Sequence, residues 1–145
     1  IWVDASTNWG IGIIVNGHWA AWKLLPGWKS DGRDIGWAES IAVELAVAWV
    51  VQQGLTDVEI IIHGDNTGVI DAYKKGRSRN VHRNASLQRI LAALIPQNLT
   101  ILPVYVESES NLADPISRGI LGSVESCLDT IIPLCEDLKP YLVHV

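Results

Sequence analysis

Apolar positions along the chain switch between two periods, and the switches mark its elements. Ile1-Trp2-Val3 reads as a strand running into the turn-rich stretch Asp4-Ala5-Ser6-Thr7-Asn8. Ile11 to Val15 is apolar and β-branched, and the Asn16-Gly17 that follows is a strong two-residue hairpin signal. His18 to Leu25 returns as a strand and stops at Pro26-Gly27. This first part predicts an antiparallel meander of three strands. Beyond the loop Lys29-Ser30-Asp31-Gly32-Arg33-Asp34, the stretch Trp37 to Val51 has only Glu39, Ser40 and Glu44 as polar positions. Alanine recurs there at 38, 42, 46 and 48. The pattern predicts a long helix buried on most of its circumference, with Glu39 in its first turn and Gly54 as its stop.

Val58 to His63 is a short Ile-rich run, the pattern of a fully buried strand, ended by Gly64-Asp65-Asn66-Thr67. Gly68 to Lys75 and Val81 to Ile95 predict two helices, the second closed by Pro96, and Leu99 to Val106 a further strand. Asn111 to Arg118 reads as a turn leading into a short helix. Residues 120–145 form an apolar-rich extension of unknown role, with Pro133 and Pro140 in it. The order βββ-α-β-α-α-β-α predicts an α/β fold: a mixed five-stranded sheet, three antiparallel strands and then parallel ones, flanked by helices. No 18 consecutive residues are apolar, so no membrane partner is expected.

Composition narrows the class. A chain of 145 residues, 48% apolar and 19% charged, has the size and make-up of one globular domain. Cys127 and Cys135 are too few for a disulfide framework and lack ligand spacing, so a reducing intracellular setting, cytoplasm or nucleus, is expected. With no Met at all, the chain reads as cut from a longer polypeptide. The net charge of −5 argues against a polyanionic partner, but its distribution does not. Six of the eleven Lys and Arg residues, Lys74, Lys75, Arg77, Arg79, Arg83 and Arg89, fall in one short block, which is either a solvated face or the footprint of a phosphate backbone.

The acids carry the candidate chemistry. Asp4 and Asp65 each stand at the end of a predicted strand. If those strands are parallel neighbours, their ends lie side by side where open α/β sheets bind ligands. Glu39 lies on the helix between them, and Asp114 opens the last element. Each has an ordinary alternative, as a cap, an Asx turn or a macrodipole partner. Gathered together, they would repel one another unless cations were present, and all-oxygen ligands select Mg²⁺ or Mn²⁺ over zinc.

The order and context of these acids resemble the ribonuclease H domain of retroelement (LTR-retrotransposon-like) reverse transcriptases. Val3-Asp4-Ala5-Ser6 is similar to the family's first-strand motif. Ala38-Glu39-Ser40-Ile41-Ala42-Val43-Glu44-Leu45-Ala46 is similar to its helix motif, a Glu with Ala at plus three and plus seven. That register selects Glu39; Glu44 lies roughly 140° around the helix. His63-Gly64-Asp65-Asn66 matches the end of the fourth strand, and Asn111-Leu112-Ala113-Asp114-Pro115-Ile116-Ser117-Arg118-Gly119 matches the most specific stretch, Asn-x-x-Ala-Asp-x-x-Ser-Arg. The resemblance covers residues 1–119.

The resemblance implies an endonuclease that cuts the RNA strand of RNA–DNA hybrids, alongside the polymerase and connection parts of a parent polyprotein. Asp4, Glu39, Asp65 and Asp114 would hold two Mg²⁺, with Mn²⁺ as a substitute, and an activated water would attack phosphorus. Removing four acids takes the charge of −5 to −1, and two Mg²⁺ return +4, so the acidic sum is no obstacle. Ser6, Thr7, Asn8 and Asn66 would offer polar contacts to the hybrid, and Lys74, Lys75, Arg77 and Arg79 would meet its phosphates. The His that cellular relatives carry before the last Asp is absent; Glu107 and Glu109 occupy that loop. The long basic helix of some relatives is missing as well. The competing readings are a non-catalytic tether module with the same fold and a transposase or integrase-type core. All seven Trp precede residue 50 and read as core, with Trp28 the one candidate for base stacking; His63 reads as a strand residue with a satisfied hydrogen bond.

Overall fold

In the computed structural model, which describes residues 1–145, the predicted meander forms from β1 (Trp2–Ala5), β2 (Gly10–Val15) and β3 (His18–Leu24). Asn16 and Gly17 both take left-handed φ angles, 52° and 79°, as a tight hairpin turn requires. Val15 accordingly pairs with His18 across it. Helix α1 (Ile35–Gln52) crosses to β4 (Glu59–Gly64), which is followed by α2 (Thr67–Lys75), α3 (Val81–Leu94), β5 (Thr100–Tyr105) and the single turn α4 (Asp114–Ser117). A last strand, β6 (Leu142–His144), lies near the C-terminus.

The strands form one sheet in the order β5-β4-β1-β2-β3-β6. β1 is antiparallel to β2 and parallel to β4, and β4 is parallel to β5. The fold is therefore the mixed α/β sheet flanked by helices that the pattern predicted, with one strand more. The added strand comes from the apolar extension, where Leu142 pairs with Leu24 at the β3 edge. Ile132, Leu138 and Leu142 join the main core, each no more than 3% exposed.

Ala38, Ala42 and Ala46 form a fully buried small-residue stripe on α1, which lets the helix lie close to the sheet. Helix α1 is long and apolar enough to span a bilayer by composition, but its apolar residues pack into this core. Its cap is Asp34, which accepts a hydrogen bond from the Trp37 amide, so the helix starts earlier than the periodicity placed it. Glu39 is consequently in the second turn, outside the reach of a macrodipole argument. β4 is also corrected. It alternates buried and exposed, with Ile61 47% exposed, because helices cover only one face of the sheet there. Trp28 is buried and stacks on Trp37 at 5.9 Å, which withdraws it as a base-stacking residue. His63 stacks on Trp2 at 4.2 Å, and its buried Nδ1 has no hydrogen-bond partner, contrary to expectation.

Candidate active site

The parallel register of β1 and β4 pairs Trp2 with His63. Two residues further along stand Asp4, still on β1, and Asp65, just past the end of β4, so the two carboxylates leave the sheet at the same end. Glu39 comes down from α1 onto the same point. Asp4, Glu39 and Asp65 each offer an oxygen, all within 4.8 Å of one another. Asp4 and Glu39 are buried, at 3% and 6% exposure, and Asp65 is half-buried.

Burial and crowding raise the carboxyls of Asp4 and Glu39 above their ordinary range. Burial, then the Asp65 and Asp114 charges, push the Asp4 carboxyl up to about 7, against the pull of hydrogen bonds from Ser117 and the Ala5 backbone. Glu39 is pushed well above the usual carboxylate range, chiefly by burial and then by Asp4 and Asp65. A carboxylate cluster with no basic side chain inside it is the environment that a hard cation relieves. The donor set, oxygen only, fits Mg²⁺ or Mn²⁺.

Asp114 stands beside the trio, close enough for its charge to act on Asp4. Its carboxylate is paired with Arg118, at 3.2 Å to Oδ2 and 3.3 Å to Oδ1. It is the first residue of α4 and does not cap it; Ala113 takes the cap position without a side-chain bond. The cap before α2 is Asn66, which accepts from the Val69 amide and leaves Asp65 free of that duty. Glu44 turns away from the site to α3, where Arg89 and Ser86 hold it.

The last motif is bound to β1 through residues whose contacts the pattern did not reveal. Asn111 Nδ2 donates to the Val3 carbonyl at 2.9 Å, and Ser117 Oγ lies 2.9 Å from Asp4 Oδ2. Both residues lie inside the Asn-x-x-Ala-Asp-x-x-Ser-Arg stretch, which was the available signal. Ser108 carried none. It donates to Asp65 Oδ2 at 3.0 Å, so it is the residue of the β5–α4 loop bonded to the cluster, although it is exposed like its neighbours Glu107 and Glu109.

The contact candidates divide. Thr7 and Asn8 are exposed in the turn after β1, whereas Ser6 is tied down, its Oγ donating to the Ser117 carbonyl at 2.6 Å. Lys74, Lys75, Arg77 and Arg79 are exposed, and all but Lys74 line an open groove of about 870 Å³ between α2 and α3. Arg83 also lines it, but its Nη2 donates to Asp34 Oδ2 at 2.6 Å. Asp71 is the one acid on its walls.

Comparison with known families and with curated proteins finds no match to this chain. Among solved structures, it is similar to RNase H1 from the halophilic archaeon Halobacterium salinarum, with a TM-score of 0.52 and 17% identity over 75% of this chain and 91% of that one. At such low identity the likeness speaks for the fold alone. The chain has the ribonuclease H fold, with three carboxylates gathered at one end of its central strands.

Proposed function

We propose that the chain is a metal-dependent ribonuclease H that hydrolyses the RNA strand of RNA–DNA hybrids within a retroelement reverse transcriptase. One observation carries the reading: Asp4, Glu39 and Asp65, distant in sequence, offer oxygens within 4.8 Å of one another on this fold. A scaffold gains nothing from burying like charges together, because each raises the cost of ionising the next. The retroelement setting rests on the resemblance of Asn111 to Arg118 and on that of the three shorter motifs.

Asp4, Glu39, Asp65 and Asp114 are the residues that would hold two Mg²⁺ or Mn²⁺. Bound there, such ions supply Lewis-acid stabilisation of the charge that builds on phosphate oxygens during in-line attack. Asp4 and Glu39 release protons as they take up the ions, so binding tightens as pH rises. Arg118 is 61% exposed and has room to swing away from Asp114. Thr7, Asn8 and Asn66 meet the hybrid beside the carboxylates, and Lys74, Lys75, Arg77 and Arg79 meet phosphates further along. Contacts of this kind read the shape and 2′-hydroxyls of a hybrid and not its base sequence.

The test is cleavage of a hybrid labelled on its RNA strand, with and without Mg²⁺, beside duplex DNA and duplex RNA. The expected result is Mg²⁺-dependent cutting of the hybrid alone, lost in Asp65→Asn while that variant still folds and melts cooperatively. Equal cutting of duplex DNA would move the reading to a transposase or integrase-type core. Hybrid binding without any cutting would make the chain a non-catalytic module.

A further inference from the structure

The turn that carries Asp114 also grips Asp4. Ser117 is fully buried, and its Oγ lies 2.9 Å from Asp4 Oδ2 and 2.8 Å from the main-chain oxygen of Asp114. A hydroxyl has one proton to give, and an ionised carboxylate is the stronger of the two acceptors. An aspartate χ2 is otherwise broad and roughly two-fold, so this bond, together with the one from the Ala5 backbone, sets which way the carboxylate of Asp4 faces.

The contact depends on an absence in the neighbouring strand. Gly12 is the partner of Asp4 in the β1–β2 ladder. A Cβ at Gly12 would lie 2.8 Å from the Ser117 nitrogen and from Ile116 Cβ. Glycine there lets α4 settle onto β2, and so brings Ser117 against Asp4. Two further bonds hold the segment to the same part of the sheet: Asn111 Nδ2 to the Val3 carbonyl at 2.9 Å, and Ser6 Oγ to the Ser117 carbonyl at 2.6 Å.

We infer that Ser117 is a positioning residue for the divalent-cation site. It fixes Asp4 Oδ2, and with it the rotation of a carboxylate that has an oxygen within 4.8 Å of those of Glu39 and Asp65, and it links Asp4 to the backbone of Asp114. Its consequence for turnover rests on the nuclease reading; its consequence for cation binding does not. Hydrogen-bond partners of this kind commonly change metal affinity by about ten-fold or more when removed.

The experiment measures Mn²⁺ alone, by titration calorimetry or by the loss of its free-ion resonance signal, on the full chain without substrate. Ser117→Ala and Ser117→Cys are compared with Ser117→Thr. Donor strength and volume run in different orders in this set: Ala and Cys lose the hydroxyl, whereas Thr keeps it and adds a methyl in a fully buried place. Affinity about ten-fold weaker in Ala and Cys, with Thr near wild type and a lower kcat at unchanged KM for the hybrid in Ala, supports positioning. Ala and Cys within two-fold of wild type for Mn²⁺ would overturn it, as would Thr falling as far as Ala while still folded. If Thr overpacks and fails to fold, the Ala and Cys affinities decide the question by the same criterion. A wild-type chain that binds Mn²⁺ tightly but cuts no hybrid would overturn the nuclease reading and leave the role of Ser117 intact.

Discussion

Arg89 grips both oxygens of Glu44, with Nε at 2.8 Å from Oε2 and Nη2 at 3.1 Å from Oε1. Ser86 adds a third bond to the same carboxylate at 2.8 Å, and Ser40 extends the chain by donating to Ser86 at 3.0 Å. Glu44 thus fastens α1 to α3 while Glu39, five positions earlier on the same helix, faces the cluster. Glu44→Gln should lower stability by about 1–3 kcal/mol, because the half-buried Arg89 loses its bidentate partner and keeps only the exposed Asp137, 4.0 Å away. Mn²⁺ affinity and hybrid cleavage should stay near wild type. Normal stability with lost cation binding would reverse the assignment of the two glutamates.

The raised carboxyl of Asp4 makes a prediction about pH. Its folded value is about 7, against an ordinary 3.8, so between those values the folded state binds more protons than the unfolded chain. Without divalent ions, the contribution of Asp4 to stability should fall as pH rises from about 4 to 7 and level off above, by roughly 2–4 kcal/mol. Glu39 acts in the same direction. Mg²⁺ should offset the fall by binding the ionised groups. Urea melts at pH 5 and pH 8, with and without Mg²⁺, check this; a flat ion-free profile would contradict the crowding of the carboxylates.

Removing one charge from the cluster should help the ion-free fold and harm the loaded site. Asp4→Asn and Glu39→Gln are each expected to raise the melting temperature at pH 8 without Mg²⁺ by a few degrees, roughly 1–2 kcal/mol of relieved repulsion. Both should lose the stabilisation that Mg²⁺ gives wild type. Calorimetric scans with and without Mg²⁺ read both effects, and a variant that still gains stability from Mg²⁺ as wild type does would remove that residue from the site.

Among the bases, the groove separates contact from structure. Neutralising Lys75, Arg77 and Arg79 together should weaken hybrid binding and flatten its dependence on salt by a slope of roughly two to three. Arg83→Gln should instead lower stability, because Arg83 is paired with Asp34 at the cap of α1. Titrations at several salt concentrations distinguish them. An unchanged slope in the triple variant would leave those three as ordinary solvated charge.

The C-terminal extension is expected to be indispensable to folding. Stopping the chain after Gly119 removes Ile132, Leu138 and Leu142 from the core and β6 from the β3 edge. Burial of three such side chains is worth about 5 kcal/mol or more, comparable to the whole stability of many domains. Residues 1–119 alone should therefore melt without a cooperative transition. A sharp melt near that of the full chain would show that the extension is an appendage.

Local patterns were enough to read most of the elements. Asn16-Gly17 set the hairpin because a tight turn needs left-handed φ at both positions, and the alanine spacing of α1 marked a helix pressed on a sheet. The four acids, two at strand ends, one on a helix and one opening the last turn, stood out through the order and flanking residues they share with the ribonuclease H motifs. Singly, each had an ordinary cap, turn or macrodipole reading. What the sequence could not settle was every relationship that depends on which element lies over which. The alternation of β4 escaped it because an Ile-rich run looks the same whether one face of the sheet is covered or two. The extension showed no partner until β3 offered an edge for Leu142 to Val143-His144 to pair with. Ser117 and Gly12 acquire meaning only once α4 lies on β2, since a hydroxyl 113 positions from Asp4 can bond it only after the sheet has formed. Sequence determined the local conformations through backbone preference and periodicity; tertiary packing decided strand pairing and the burial and crowding that raise the carboxyls of Asp4 and Glu39.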